Sequence, residues 1–236
     1  SNQALMTSDE FKKTVSKHGV IGNAEEMKQI MNYITAFAKD LQDRETTEKM
    51  RTQFGWCDND TKFIVGDREI SAKEIVYSPP SNTTLPFVSW FKPKGTMEEW
   101  KRVASAYSRE GQELRAFMLF VWLGAPLLKF TNQKGLIFSL TENESGTGKT
   151  TIQKVINSIW GNPNDMMLIA KDTLKSQFHQ FGVFNNICVC TDEVTNMEEH
   201  AVSDISYGVS QGRSNNRMKA NSNEMRLNNT RWALPA

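Results

Sequence analysis

The spacing of apolar residues divides the chain into stretches of different character. Between Asn23 and Leu41, apolar residues recur about every 3.6 positions, which predicts one amphipathic helix. Asn23 and Glu26 stand at its start with the spacing of a capping box. Short apolar runs separated by turn residues follow between Phe54 and Tyr77, and they predict a small β-rich segment.

The rest of the chain mixes helical patterns with short apolar runs. Thr96 and Glu99 repeat the capping-box spacing and predict a second helix start. The stretch Gln112–Leu123 is apolar almost all round, and such a helix is usually buried. Positions 135–140 and 186–191 are apolar runs that suit buried strands.

A proline-containing break marks the expected domain boundary at Ser78–Ser81. We expect an N-terminal helix and the small β-rich segment over residues 1–80. The larger domain is expected over residues 81–236. A chain of 236 residues suits this division into one large domain and a smaller attachment.

Composition indicates a globular protein without a large excess of either charge. The hydrophobic fraction of 39% and the charged fraction of 23% are typical of a soluble globular protein. The formal net charge is +1, so a nucleic-acid footprint would have to be a local basic patch. No apolar run is long enough to span a bilayer, and we expect no membrane association.

The cysteines favour a reducing compartment. There are 3 of them, an odd and low number that argues against a disulfide framework. Cys188 and Cys190 alternate with apolar neighbours, as small residues of a buried strand do. We expect a location in the cytoplasm.

A glycine-rich segment with the context of a P-loop follows the first predicted strand of the larger domain. Strand, glycine-rich loop, Lys-Thr and helix come in the order that phosphate binding requires. Gly146 and Gly148 allow the backbone to approach phosphates, Lys149 is expected to reach the β- and γ-phosphates, and Thr150 is expected to bind Mg²⁺. The expected nucleotide contacts are Asn143, Glu144, Ser145, Gly146, Thr147, Gly148, Lys149, Thr150 and Thr151.

One residue departs from the usual P-loop pattern. The pattern begins with glycine, and Asn143 stands at that position. Asparagine tolerates left-handed backbone angles better than most residues, so the loop remains feasible. Taken alone, the loosened match could equally arise by chance.

An acidic pair at the end of a later strand strengthens the interpretation. The predicted strand that ends in Thr191, Asp192 and Glu193 is expected beside the P-loop strand. Asp192 could then hold Mg²⁺ through water, and Glu193 could polarise the attacking water. The alternative is a strand that merely ends in acidic turn residues.

A basic, polar segment follows the acidic pair. Arg213, Arg217 and Lys219 lie close together in a stretch without apolar support, which predicts an exposed loop or hairpin. These cations could contact phosphate, either of nucleic acid or of ATP on a neighbouring subunit. The alternative is a solvated surface turn.

Several short motifs follow one another in a fixed order: Phe54–Trp56, Gly95–Trp100, Ala125–Leu128, Glu144–Thr151, Ser158–Gly161, Thr191–Glu193, Ser210–Arg213 and Arg231–Leu234. In this order they resemble those of phage- and plasmid-encoded helicase-like P-loop ATPases, which are related to superfamily-three and AAA+-type replicative helicases. If a phage encodes the protein, the expected cytoplasm is that of the host cell. The resemblance implies a doubly wound α/β P-loop NTPase core, ATP with Mg²⁺, single-stranded DNA and a homo-oligomer in the form of a hexameric ring.

The same resemblance assigns roles to individual residues. Lys149, Thr150, Asp192 and Glu193 take the catalytic and metal-binding positions of the family. Arg213 falls where related motors place a basic residue near DNA or the neighbouring subunit. The family's polar sensor residue would follow the last strand, where this chain stops, so we expect the ATPase core to be truncated at its C-terminal end.

Three hypotheses of function follow. A replicative helicase motor predicts ATP hydrolysis that single-stranded DNA stimulates. A packaging, defence or remodelling ATPase predicts hydrolysis that is indifferent to DNA. An interaction module that binds nucleotide without hydrolysis is the third, and Glu193 argues against it, because a pure binder needs no water-activating carboxylate.

Overall fold

The computed structural model describes residues 8–44, 50–142, 144, 146–169, 172–192, 197–213, 217–218, 225–226 and 230–236. The chain forms two compact units, Ser1–Lys49 and Met50–Ala236. Across the described ranges, no helix is both long enough and apolar enough to cross a membrane.

The first unit consists of two helices, α1 (Ser8–Lys17) and α2 (Ala24–Arg44). The predicted capping box is confirmed, because the N–H of Glu26 donates to Asn23 Oδ1 at 3.0 Å and the N–H of Asn23 donates to Glu26 Oε2 at 2.8 Å. Phe11 and Met27 are buried in this unit.

The predicted β-rich segment is a four-stranded antiparallel sheet whose strands follow one another in chain order. Its strands are β1 (Gly55–Cys57), β2 (Lys62–Val65), β3 (Arg68–Ser71) and β4 (Ile75–Tyr77). Short turns join neighbouring strands, which makes the sheet a meander built from local pairings.

This small sheet is part of the larger unit. The N–H of Phe54 donates to the carbonyl of Val183 at 2.7 Å, and the N–H of Trp56 donates to Asn186 Oδ1 at 3.0 Å. The Phe54 ring lies 4.7 Å from the ring of Phe91, in the main apolar cluster. The compact units therefore divide after Lys49, whereas the sequence pattern placed the boundary after residue 80.

Helices surround the remaining strands of the larger unit. The α-helices are α3 (Met97–Ala104), α4 (Glu113–Leu123), α5 (Lys149–Asn157), α6 (Leu174–Phe184) and α7 (Glu199–Gln211). Short 3₁₀ helices occupy Leu85–Phe91, Ser105–Ser108 and Ala125–Phe130. Thr96 caps α3 in a complete capping box with Glu99, as predicted.

Two pairs of short parallel strands form the centre. The strands outside the small sheet are β5 (Gly135–Leu136), β6 (Met167–Ile169), β7 (Cys190–Asp192), β8 (Arg217–Met218), β9 (Met225–Arg226) and β10 (Leu234–Pro235). Strand β10 pairs with β5, and β6 pairs with β7, both in parallel.

Backbone hydrogen bonds join the two pairs. The N–H of Val189 donates to the carbonyl of Pro235 at 3.2 Å, and the N–H of Ala233 donates to the carbonyl of Asn185 at 3.0 Å. Asn185 precedes Val189 in one segment, and their partners Ala233 and Pro235 follow the same order in the other. The two segments therefore run in the same direction. The spatial order is therefore β5, β10, β7, β6.

Both faces of the segment that leads into β7 are buried. Ile187 and Val189 belong to the apolar cluster that contains side chains of α6 and of the small sheet. Cys188 and Cys190 belong to a second cluster, with side chains of α4 and α5. Successive side chains of a strand point to opposite faces, which explains why this short stretch has almost no polar residue.

Helix α4 is buried on one face alone. Met118, Leu119 and Trp122 are buried against α5. Phe120 is 70% exposed on the opposite side, and Leu114, one turn before Met118, is 83% exposed. The prediction that this helix is buried holds for the first face and is wrong for the second, because the chain packs α5 against one side of α4 only.

Candidate functional site

The glycine-rich segment turns sharply into helix α5. Gly146 has φ +77° and Gly148 has φ +88°, and these left-handed angles are ones that glycine adopts without steric cost. A Cβ atom added at Gly146 would meet nothing within 4 Å, so backbone conformation rather than space accounts for glycine there. We call the segment Gly146–Thr150 the phosphate loop, after the ligand that the sequence predicts for it.

Helix α5 starts directly at the phosphate loop. Lys149 is its first residue, and its first intrahelical bond runs from the N–H of Ile152 to the carbonyl of Gly148 at 3.0 Å. The N–H groups at the start of an α-helix have no acceptor within the helix, and the helix dipole places partial positive charge there. This end of α5 therefore suits an anion.

The side chain of Lys149 folds back over the loop. Its Nζ donates to the carbonyls of Glu142 and Glu144, each at 3.2 Å. A carbonyl oxygen has no formal charge, so these bonds leave the positive charge of the ammonium group uncancelled. A phosphate oxygen would be the stronger acceptor for this group.

Arg115 on α4 also reaches the phosphate loop. Its Nη2 donates to the carbonyl of Thr147 at 2.8 Å, and its Nη1 donates to Gln112 Oε1 at 2.8 Å. Motif reasoning missed this residue, because it lies 32 positions before Thr147 and belongs to no loop pattern. Arg115 lies three residues before Met118 and four before Leu119, and this spacing is the sequence signal that places it on the same helix face as these two residues.

A buried polar atom in the loop supports the fit of a phosphate-containing ligand. Thr147 Oγ1 is buried and has no hydrogen-bond partner within the described part of the chain. A buried hydroxyl without a partner costs free energy, and a ligand or water oxygen would remove that cost. Together with the start of α5, this atom makes the loop chemically suited to a nucleotide phosphate.

Helix α5 ties the phosphate loop to the end of β7. Gln153 lies one turn after Lys149, and its Nε2 donates to the carbonyl of Thr191 at 3.3 Å. Asp192 is the next residue, half-buried at the end of β7. The structure thus brings the helix that carries Thr150 to the strand that ends in Asp192.

The order of the strands in space differs from the order that the sequence predicted. The sequence interpretation placed the acidic strand beside the strand that precedes the phosphate loop, and that placement is wrong. Strand β10 lies between them, since it pairs with β5 and accepts a bond from Val189, just before β7. The reason is not local, because β10 comes from residues 234–235, far along the chain from both strands.

The expected site residues divide into those that the structure describes and those outside the described ranges. Glu144, Thr150 and Thr151 are exposed at the loop and at the start of α5. Asn143, Ser145, Glu193 and Lys219 lie outside the described residues, and Arg217 is described through its backbone alone.

Antiparallel backbone pairing occurs at two places in the described part of the basic segment. Arg213 forms a bridge opposite Arg231, and Arg217 pairs with Arg226. We call these residues the arginine ribbon. These pairings bring four arginine positions into backbone register, two by two.

The described residues offer few ligands for a metal ion. Within those ranges, no group of three or more His, Cys, Asp and Glu side chains is placed to hold one. A Mg²⁺ ion typically takes one or two protein ligands and completes its shell with phosphate oxygens and water. Thr150 and Asp192 fit such a sparse set.

The buried cysteines have no place in this chemistry. Burial raises the pKa of Cys190 to about 12, and it raises the pKa of Cys188 well above its ordinary value. Both thiols therefore stay neutral at physiological pH and act as small packing residues, as predicted from the sequence.

Comparison with known proteins identifies a family. The model of the family described as "Domain of unknown function (DUF927)" matches residues 2–229. The match covers nearly the whole chain, and the chain belongs to this family. No curated protein matches the chain.

Proposed function

We propose that this DUF927-family chain is the ATP-hydrolysing motor domain of a phage- or plasmid-type replicative DNA helicase. In this proposal its core is a doubly wound P-loop NTPase, and it acts in the cytoplasm with ATP and Mg²⁺. The observation that carries the proposal is the phosphate loop, in which two left-handed glycines lead into the start of α5 beneath Lys149.

Nucleotide binding would use the loop and the first turn of α5. Lys149 would exchange the neutral carbonyls of Glu142 and Glu144 for charged phosphate oxygens, which are stronger acceptors. The expected contacts remain those of the sequence interpretation, Asn143 to Thr151. Bound ATP supplies the phosphoanhydride bond whose hydrolysis drives the motor.

Hydrolysis would rely on three oxygen-bearing side chains. Thr150 and Asp192 would hold Mg²⁺, and the bond between Gln153 and Thr191 supports this role because it holds α5 against the end of β7. Glu193 would orient and polarise the attacking water. Arg213 is a second candidate for a catalytic role, if it reaches ATP on a neighbouring subunit.

The arginine ribbon supports an anionic polymer as the partner. Four arginine positions are paired through the backbone in this segment, Arg213 with Arg231 and Arg217 with Arg226. Single-stranded DNA has repeated phosphates, which several basic side chains of one segment could contact at once. Arg213, Arg217 and Lys219 are the proposed DNA contacts.

The exposed face of α4 supports assembly. Leu114, Phe117, Phe120 and Leu123 are all exposed on this helix. Contiguous apolar side chains on a surface often mark a protein interface. We assign this face to a neighbouring copy in the proposed hexameric ring.

Steady-state ATP hydrolysis, with and without single-stranded DNA at two salt concentrations, tests the activity. We expect DNA to stimulate hydrolysis, and the stimulation to fade as salt rises. Glu193→Gln should keep ATP binding and lower turnover by at least about a hundredfold. Hydrolysis indifferent to DNA would favour a remodelling ATPase, and absence of hydrolysis with intact binding would favour a nucleotide-binding module.

The molar mass in solution tests the assembly separately. We expect the wild type to form a homo-oligomer in the presence of nucleotide, and Phe120→Asp to lower its mass, because a charge would be buried in the interface. Tyr207→Asp changes an exposed aromatic residue on α7 and serves as the control. Equal masses for the wild type and Phe120→Asp would exclude this face.

A further inference from the structure

Arg115 lies outside every loop motif, yet it contacts the phosphate loop. Helix α4 presents Arg115, Met118, Leu119 and Trp122 at the spacing of one helix face. The last three are buried with Ile152 and Ile156 of α5. Arg115 therefore lies on the packed face of α4, and the buried apolar residues of that face fix the position of its guanidinium group.

The guanidinium group is held at two points. One nitrogen donates to Gln112 Oε1 at 2.8 Å, and the other donates to the carbonyl of Thr147 at 2.8 Å. The planar fork of arginine makes such a pair of bonds directional, unlike the point charge of lysine. Gln112, which immediately precedes α4, thus orients the nitrogen that contacts the loop.

The contact with the Thr147 carbonyl determines the direction of a neighbouring donor. In a planar trans peptide, the carbonyl of Thr147 and the N–H of Gly148 point in opposite directions. Arg115 holds that carbonyl on the side of α4, so the N–H of Gly148 points to the side away from α4. Gly148 has φ +88° and is the N-cap residue of α5, so this peptide leads into the residue that caps the helix.

We propose that Arg115 is a positioning residue for the nucleotide, acting through the Thr147–Gly148 peptide to aim a backbone N–H at the β-phosphate. This assignment rests on the proposed nucleotide-binding function. Arg115 does not need to touch the ligand in this role, because its nitrogen is already engaged by the loop carbonyl.

The nucleotide series separates positioning from direct contact. ADP and ATP both have a β-phosphate, and ATP alone has a γ-phosphate. Loss of an oriented donor to the β-phosphate should therefore weaken both nucleotides equally. A residue that contacts the γ-phosphate directly would weaken binding of an ATP analogue and leave ADP unchanged.

The experiment is calorimetric titration of the full chain with Mg²⁺–ADP and with a non-hydrolysable Mg²⁺–ATP analogue. We expect Arg115→Met to weaken both by about tenfold, the effect of one hydrogen bond to a charged group. Gln112→Ala should weaken both by a smaller factor, because it removes only the bond that orients the fork. Arg102→Met removes an exposed charge from α3 and should change neither.

Arg115→Lys provides a variant that keeps the charge and most of the apolar stem. It should fall short of wild-type affinity for both nucleotides, since an ammonium group cannot make the two fixed bonds. Wild-type affinity in Arg115→Lys or in Arg115→Met would overturn the assignment. A loss confined to the ATP analogue would also overturn it, in favour of direct γ-phosphate contact.

The controls distinguish this inference from the proposed function. If the wild type binds neither nucleotide, or if Lys149→Ala binds as the wild type does, the nucleotide site itself is wrong and the role of Arg115 fails with it. If the wild type binds, Lys149→Ala does not, and Arg115→Met binds normally, only the role of Arg115 fails.

Discussion

Two groups of cations in the larger unit have different partners. Beside the small sheet, Arg51 donates to Asp58 at 2.9 and 2.6 Å and to Glu69 at 3.1 Å. At the phosphate loop, Lys149 and Arg115 donate to backbone carbonyls. A carboxylate cancels the charge of its cation, and a carbonyl does not.

From this difference we infer that the first group stabilises the fold and that the second could bind an anionic ligand. In the sheet, the hydrogen bond from Lys62 and then that from Arg51 hold the pKa of Glu69 below its ordinary range. The hydrogen bond to Asp58 raises the pKa of Arg51. Substitutions in the sheet should therefore change stability, and substitutions at the loop should change affinity for anions.

The largest effect is expected at Lys149. Lys149→Ala should weaken ATP binding by roughly a hundredfold, because a charged donor to the phosphates is lost. Lys62→Ala removes the same charge from the small sheet and is the matched control, with unchanged affinity expected. Titration calorimetry measures both, and equal affinities in the two variants would remove the distinction between loop and sheet.

The next largest effect is expected at Arg51. Arg51→Met removes the guanidinium group that donates to both Asp58 and Glu69, while Lys62 still pairs with Glu69. We expect the free energy of unfolding to fall by about 2 kcal/mol. Nucleotide affinity should stay at the wild-type value. Urea unfolding and calorimetry on the same preparation give both quantities, and a loss of affinity without a loss of stability would contradict the comparison.

A smaller effect is expected in the arginine ribbon. Arg213→Ala should weaken binding of single-stranded DNA by a few-fold and reduce the slope of log K against log salt by about 0.7. Fluorescence anisotropy over a salt series measures both. An unchanged slope would mean that Arg213 neutralises no phosphate.

The smallest effect is expected from Glu69 and depends on pH. Because its folded pKa is lowered, its pairing stabilises the fold above the ordinary glutamate pKa, and this contribution is lost as the pH falls through the lowered value. Glu69→Gln should cost at most about 1 kcal/mol at pH 7 and less at lower pH. Urea unfolding at several pH values checks this, and a cost that grows towards acid would contradict the assigned pairing.

Local features were predictable from short stretches of sequence. The capping boxes of Asn23 and Thr96 depend on residues three positions apart, and both are present. The left-handed angles of Gly146 and Gly148 follow from the same kind of local information, since glycine lacks the Cβ that forbids them. The β-meander was also predictable, because each of its strands pairs with the next one along the chain.

Features that depend on distant contacts were not predictable. The pattern of α4 showed that it is apolar all round, and only packing decided which face is covered. The sequence pattern assigned the small sheet to a segment outside the larger domain. In the structure, Phe54 and Trp56 form hydrogen bonds with residues about 130 positions away. The contact of Arg115 with the phosphate loop also depends on packing between residues that are far apart in the chain.

The sequence by itself determined the phosphate loop, because the glycines, the lysine and the helix start are consecutive residues whose conformations follow from local sterics and hydrogen bonding. The tertiary structure alone decided that β10 separates β5 from β7 and that Gln153 joins α5 to the end of β7. The backbone groups of a strand can pair with those of any other strand. Which strands become neighbours therefore depends on how the helices pack against the faces of the sheet.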